Sequence, residues 1–173
     1  PGIPAALEEL VRLMDAAERS IVVQVMSYSL NGAGAEPWRV IDDALRRAAA
    51  RGVQVRLNLA DWTLKESRIE ALKSLTSTPN ITVRFNSIPQ WSGGYIPFSR
   101  VDHSKYMVVD DSVGWVGTSN WSVGYFTESR NIEVIVTAPA VVSMLVKIFE
   151  QGWNGPYAHE LDPSKQYEPP IHD

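Results

Sequence analysis

The residues best able to do chemistry lie between positions 103 and 133. His103 and Lys105 are two apart on a predicted strand, so both side chains leave the same face. Five residues after Lys105, Asp110 with Asp111 marks a hairpin turn. Gly117-Thr118-Ser119-Asn120 closes the returning strand, and Glu133 lies on the next one. An imidazole, an ammonium and an amide on neighbouring strand ends can converge on one phosphate. The imidazole serves as nucleophile or proton shuttle near neutral pH. The ammonium and the amide neutralise and orient non-bridging oxygens, and glycine lets backbone approach an anion closely. Taken singly, each residue has a plainer explanation. A lone strand histidine is more often structural, Lys105 reads as a solvated charge, and Asp110 as a turn residue. Asn120 alone could cap a following helix, and Glu133 alone could be an edge-strand surface carboxylate.

The elements that must hold these residues alternate between helical and strand periods, as in a layered α/β domain. Leu7, Leu10, Val11 and Met14 recur at helical spacing, and residues 20–26 (SIVVQVM) read as a buried strand. After a glycine-rich loop at 31–35, Pro37 opens a helix with Trp38, Ile41, Ala44, Leu45 and Ala48 as its apolar stripe. Gly52 ends that helix before a strand at 53–59; a helix at 65–75 and a strand at 81–85 follow. Residues 86–99 form a loop carrying Trp91, Tyr95 and Phe98, which could stack bases, cover lipid, pack in the core or form a subunit contact. Strands are expected at 101–109, 113–116 and 132–136, with Trp115 in the core, and Pro139 opens a last amphipathic helix. The chain divides into one domain over residues 1–153 and a proline-rich tail over 154–173, expected to lie on a surface or to be partly mobile.

Composition narrows the function classes. The 173 residues are 45% hydrophobic and 21% charged, ordinary globular values. A net charge of −4 disfavours coating of nucleic acid by counterion release, while a local basic site stays open. The absence of cysteine removes disulfides, cysteine-ligated zinc and thiol nucleophiles; with three histidines, a histidine metal cluster is not expected. No cofactor is expected, and no apolar run is long enough for a transmembrane segment. A start at Pro1 rather than Met suggests a processed chain or fragment. Asn80-Ile81-Thr82 and Asn120-Trp121-Ser122 match the glycosylation sequon; the second conflicts with a phosphate-binding Asn120.

The full spacing His-x-Lys-x4-Asp-x6-Gly-x2-Asn resembles the HKD motif of the phospholipase D superfamily, met at His103, Lys105, Asp110, Gly117 and Asn120. Thr118 stands where serine or glycine is usual. The runs 96–108, 117–122 and 24–26 are similar to the second catalytic repeat of animal phospholipase D3/D4-type proteins, a branch of endolysosomal single-strand exonucleases and of proteins linked to phospholipid transphosphatidylation. The lack of cysteine and the run 130–133 depart from that branch. The resemblance implies a phospholipase D-like fold, a mixed central sheet with helices on both faces. It implies a metal-independent phosphodiesterase in which two HKD motifs make one site, one histidine forming a phosphohistidine and the other protonating the leaving alcohol. His103 would be nucleophile or acid, Lys105 and Asn120 would bind phosphate with Thr118 or Ser119, and Glu133 would orient the imidazole. Asp110 would shape the turn.

His159 and His172 lie in the tail without a lysine two residues on, so a second HKD half is needed as partner. It is the N-terminal half of the same protein or a homodimer mate. The favoured substrate is single-stranded nucleic acid; the alternatives are a phospholipase or transphosphatidylase on phospholipid diesters, or a non-catalytic half-domain. A lumenal, lysosomal or secreted location follows if the narrower resemblance holds.

Overall fold

Apolar runs and amphipathic stripes alternate along the chain, and the backbone follows them in order. A computed structural model describes residues 4–32, 37–97 and 99–168, apart from the side chains of residues 66 and 67; Phe98 and His172 lie outside the described residues. The elements are α1 (Ala5–Asp15), β1 (Ser20–Val25), α2 (Val40–Ala50), β2 (Gln54–Ala60), α3 (Glu66–Thr76) and β3 (Ile81–Asn86). There follow β4 (Tyr106–Val109), β5 (Val113–Gly117), α4 (Val123–Thr127), β6 (Glu133–Val136), α5 (Pro139–Trp153) and β7 (Ala158–Glu160). The strands form one mixed sheet in the order β6-β5-β4-β1-β2-β3-β7. β1, β2 and β3 are parallel, with α2 and α3 as crossovers. β4 runs antiparallel to β1, and β5 and β6 extend the sheet as a meander. This is the mixed α/β sheet expected, covered by helices on both faces.

Strand alternation decides which helix each residue meets. Ile21, Val23 and Val25 of β1, with Val55, Leu57 and Leu59 of β2, join the large core beneath α1, α2 and α3. Val22, Tyr106 and Val108 point the other way, against Val142, Phe149 and Trp153 of α5. Because both faces are covered, β1 (SIVVQV) and β4 (YMVV) are near-continuous apolar runs, whereas β2 (QVRLNLA) alternates.

Two expectations need correction, and two further elements go beyond the sequence reading. Pro37 and Trp38 precede α2 rather than opening it: the Trp38 N–H is spent on the Leu30 carbonyl at 2.7 Å, and the ring stacks on Phe126. β4 begins at Tyr106, not at residue 101, because β1 ends at Val25 and β5 at Gly117, leaving little ladder beyond Lys105. A helix does follow Asn120, but the N-cap of α4 is Ser122 rather than Asn120. Within the tail, β7 pairs with β3 and Leu161 is buried, so this segment covers a sheet edge.

Candidate active site

Topology brings the predicted residues to one end of the sheet. Tyr106 pairs with Gln24 near the C-terminal end of β1, and with Val116 near the C-terminal end of β5. Gly117 in turn pairs with Glu133 at the start of β6. The segment 103–105, the turn 117–120 and Glu133 therefore meet where the parallel strands end, the usual place for ligands in open α/β sheets.

His103 is exposed and Lys105 is buried, so the two differ in environment despite their spacing. The Lys105 ammonium donates to the backbone carbonyl of His103. Burial lowers its pKa below the ordinary lysine value. Among the described residues no carboxylate pairs with it. Both side chains line an open cleft of about 410 Å³ with Tyr106, Thr118, Leu145 and Ile148. Gly117 is required here by packing: a Cβ would lie 2.8 Å from the Trp115 ring.

Asn120 is almost fully buried. Its Oδ1 accepts from the Ser27 backbone N–H at 3.2 Å, and its Nδ2 donates to the Tyr125 hydroxyl at 3.0 Å. It thus ties the turn to the end of β1, with one amide hydrogen left over. Such burial is incompatible with glycosylation. The Thr118 hydroxyl donates to Asn131 at 2.8 Å, and the Ser119 hydroxyl to Glu133 at 2.8 Å. The second Glu133 oxygen accepts from the Trp115 indole at 3.0 Å. The Glu133 carboxylate therefore fixes a core tryptophan and the turn, and no hydrogen bond joins it to His103.

Asp110 stands at the hairpin turn, at the other end of β4 from His103. With Asp111 it forms the hairpin turn at φ +53° and +55°. Its carboxylate accepts from the backbone N–H groups of Glu18, Arg19 and Ser20 at 2.8–2.9 Å. Burial raises its pKa, but the N–H groups of Ser20, Glu18 and Arg19, with the Arg19 charge, outweigh burial and lower it.

Spacing alone missed three neighbours. Tyr125 reaches Asn120, and Asp102 accepts from the Asn86 amide. Burial, and secondarily the Asp102 carboxylate, raise the pKa of the Tyr106 phenol. Adjacency to His103 was the one available signal for Asp102. His159 is on β7, tilted against Phe85. Among the described residues, no group of three His, Cys, Asp or Glu side chains is placed to hold a metal ion, and no helix is long and apolar enough to cross a membrane.

A family model described as cardiolipin synthase, PLD-like domain, matches residues 10–153. The chain belongs to the phospholipase D superfamily. Phospholipase D Z of Dictyostelium discoideum is 39% identical over 158 residues, covering 88% of this chain and 37% of that protein. The human 5′-3′ exonuclease PLD3 is 36% identical over 173 residues, covering 91% of this chain and 35% of that protein. The chain thus spans about a third of the length of these relatives. Among solved structures, Nuc of Salmonella typhimurium, a phospholipase D family member, aligns with TM-score 0.70 at 20% identity over 88% of each chain. NucT from Helicobacter pylori aligns with TM-score 0.76 at 16% identity over 90% of each chain. At these identities the likeness is one of fold.

Proposed function

We propose that this chain is one half of a phosphodiesterase site, working with a second HKD half on single-stranded nucleic acid. The observation that carries the proposal is Lys105: a buried ammonium without a carboxylate partner among the described residues, on the same cleft as the exposed imidazole of His103. A buried cation left without an anion is an anion site by electrostatics alone. In the reaction, the imidazole attacks phosphorus and the bond to the leaving oxygen breaks. The histidine of the second half gives that oxygen its proton. Water, losing a proton to the same histidine, then attacks phosphorus, and the phosphorus–nitrogen bond breaks. If His103 is the acid, the two histidines exchange roles. Lys105 and the spare Asn120 amide hydrogen hold the non-bridging oxygens throughout. The preference for nucleic acid rests on the 5′-3′ exonuclease relatives. The phospholipase D names among the relatives keep a phospholipid diester as the alternative substrate.

The second half is assigned to the apolar rim beside the cleft. Val116 and Val134 pair across β5 and β6 on the face of α5. Val141, Met144 and Ile148 form an exposed stripe along α5, with Met144 56% exposed and Val134 52%. An apolar surface of this kind, adjoining a site that needs another histidine, is suited to pairing. The test is turnover of single-stranded DNA and of phosphatidylcholine in excess EDTA by the paired protein, with sedimentation across dilution. Activity of the paired form that is lost in His103→Asn with unchanged thermal unfolding is expected. A monomer with full specific activity, or an active His103→Asn variant, overturns the proposal.

A further inference from the structure

The cleft just described accounts for a phosphate but leaves the loop between β3 and β4 without a role. This loop builds a second cleft of about 330 Å³, within the range of small-ligand sites of about 300–1,000 Å³. Its lining includes Asp61, Ser87, Gln90, Trp91, Tyr95 and Arg100. Trp91 is 54% exposed, unusual for so large an apolar side chain, yet its ring is held in place. The ring lies on Gly93, where a Cβ would come within 2.3 Å of it. The turn closes through the Gly94 N–H on the Trp91 carbonyl at 3.0 Å, with Gly94 at φ +118°, a conformation open to glycine. Arg100, itself at φ +57°, ties its guanidinium to the Pro89 carbonyl. The Ser87 hydroxyl donates to Asp61 at 2.8 Å and fixes the other wall. Indole, cation and polar edge groups are thus preorganised around one opening.

We propose that this cleft is a nucleobase subsite, with a base of single-stranded nucleic acid stacked on Trp91 and its edge met by Asp61, Ser87 and Gln90. It deepens the reading above, on which it rests for its place beside the reacting phosphate. Arg100 is three positions from His103, so their Cα atoms are at most about 11 Å apart. The stacked base therefore belongs to a nucleotide close to the one being cleaved. Aromatic stacking suits a nuclease without base preference, because every base has a π-face. The lining also holds Ile88, Pro89 and Ile96, yet an acyl chain would bury Asp61, Ser87, Gln90 and Arg100 against hydrocarbon and strip them of water. The net charge of −4 fits a grip made by stacking and a few cations rather than by a basic surface. With Arg100, Lys105 and the lysine of the second HKD half as phosphate contacts, the slope of log affinity against log salt should be roughly −2.

The experiment is fluorescence anisotropy of a 3′-labelled single-stranded DNA hexamer, measured on the paired protein in a His103→Asn background to prevent turnover. Adding Trp91→Ala should weaken binding roughly 5- to 150-fold, the loss of one base–aromatic stack, with Trp91→Phe retaining most of it. Gly93→Ala, which drives a Cβ into the ring while keeping the indole, should also weaken binding. An abasic hexamer should bind with equal affinity whether or not Trp91→Ala is added. Unchanged affinity for the ordinary hexamer in Trp91→Ala overturns the subsite. So does a substitution effect confined to phosphatidylcholine vesicles, or a salt slope steeper than roughly −4, the mark of diffuse phosphate binding. If the unsubstituted protein cleaves the hexamer but Trp91→Ala binds it normally, the subsite falls and the phosphodiesterase reading stands. If Trp91-dependent binding persists without cleavage, that reading falls and the subsite is supported.

Discussion

The two faces of the sheet are built from alternate residues of the same strands, yet they follow different rules. Under α1, α2 and α3, the inward residues of β1 and β2 are Ile21, Val23, Val25, Val55, Leu57 and Leu59, an apolar core of ordinary kind. Under α5, the same two strands present Val22 together with the polar Gln24, Arg56 and Asn58. Arg56 lies over Phe149 at 5.1 Å and pairs with Glu150 at 2.6 Å; Arg84 of β3 lies over Trp153 at 4.6 Å. Gln24 Nε2, both amide atoms of Asn58 and Asn86 Oδ1 are buried without hydrogen-bond partners among the described residues. The contrast marks a division of labour. One face supplies stability by burial, while the other carries polar groups toward the site end, where Asn86 reaches Asp102 beside His103.

The greatest loss of stability is expected in the apolar core. Leu57 is fully buried at the centre of β2. Leu57→Ala should cost about 3 kcal/mol, from lost burial plus the cavity left behind. On the rim of α5, Met144→Ala should cost less than about 0.5 kcal/mol in the unpaired chain, since an exposed side chain loses little. Urea titration of both variants checks the contrast. Equal losses would mean that the faces are not divided in this way.

A smaller effect is expected at the end of β4 opposite the site, where Asp110 joins the hairpin to the start of β1. Its carboxyl has a lower pKa folded than unfolded, so its stabilisation is complete above the unfolded value. It is lost as pH falls through the folded value. Asp110→Ala should therefore cost about 2 kcal/mol at pH 7, the worth of charge-assisted bonds to backbone N–H groups. The gap between variant and parent should narrow below about pH 4. Urea titrations at pH 7 and pH 3 decide it; a gap that stays constant would mean that the carboxylate charge contributes nothing.

Residues with strong local patterns were legible in the sequence. The runs of β1, β2 and β3, the stripe of α1 and the Asp110-Asp111 turn all stand where periodicity and turn chemistry put them. Spacing also brought His103, Lys105 and Asn120 to one end of the sheet. What escaped depends on contacts distant in the chain. The bonds of Glu133 to Trp115 and Ser119, and of Asn120 to Ser27, arise from register between strands, which no local pattern encodes. β7 was hidden for the same reason: three residues among prolines form a strand only because β3 offers an open edge. α4, at five residues, is too short to show a helical period.

The slightest effect concerns Asn58, and it tests the polar face directly. The residue is fully buried in β2, next to Gln24 in register and beneath α5. Gly152 leaves room above it, since a Cβ there would lie 3.3 Å from Asn58 Nδ2. A buried amide with no partner keeps its desolvation penalty without the compensating bond, whereas a leucine, with the same branching but larger methyl groups, adds apolar burial. Asn58→Leu should therefore raise stability by about 1 kcal/mol, the opposite sign from Leu57→Ala one residue earlier on the other face. Two adjacent positions on one strand, equally buried, would then respond to substitution in opposite directions because they face different helices. A loss of stability in Asn58→Leu, read by the same urea titration, would show that the amide is satisfied in solution and that both faces are built for stability alike.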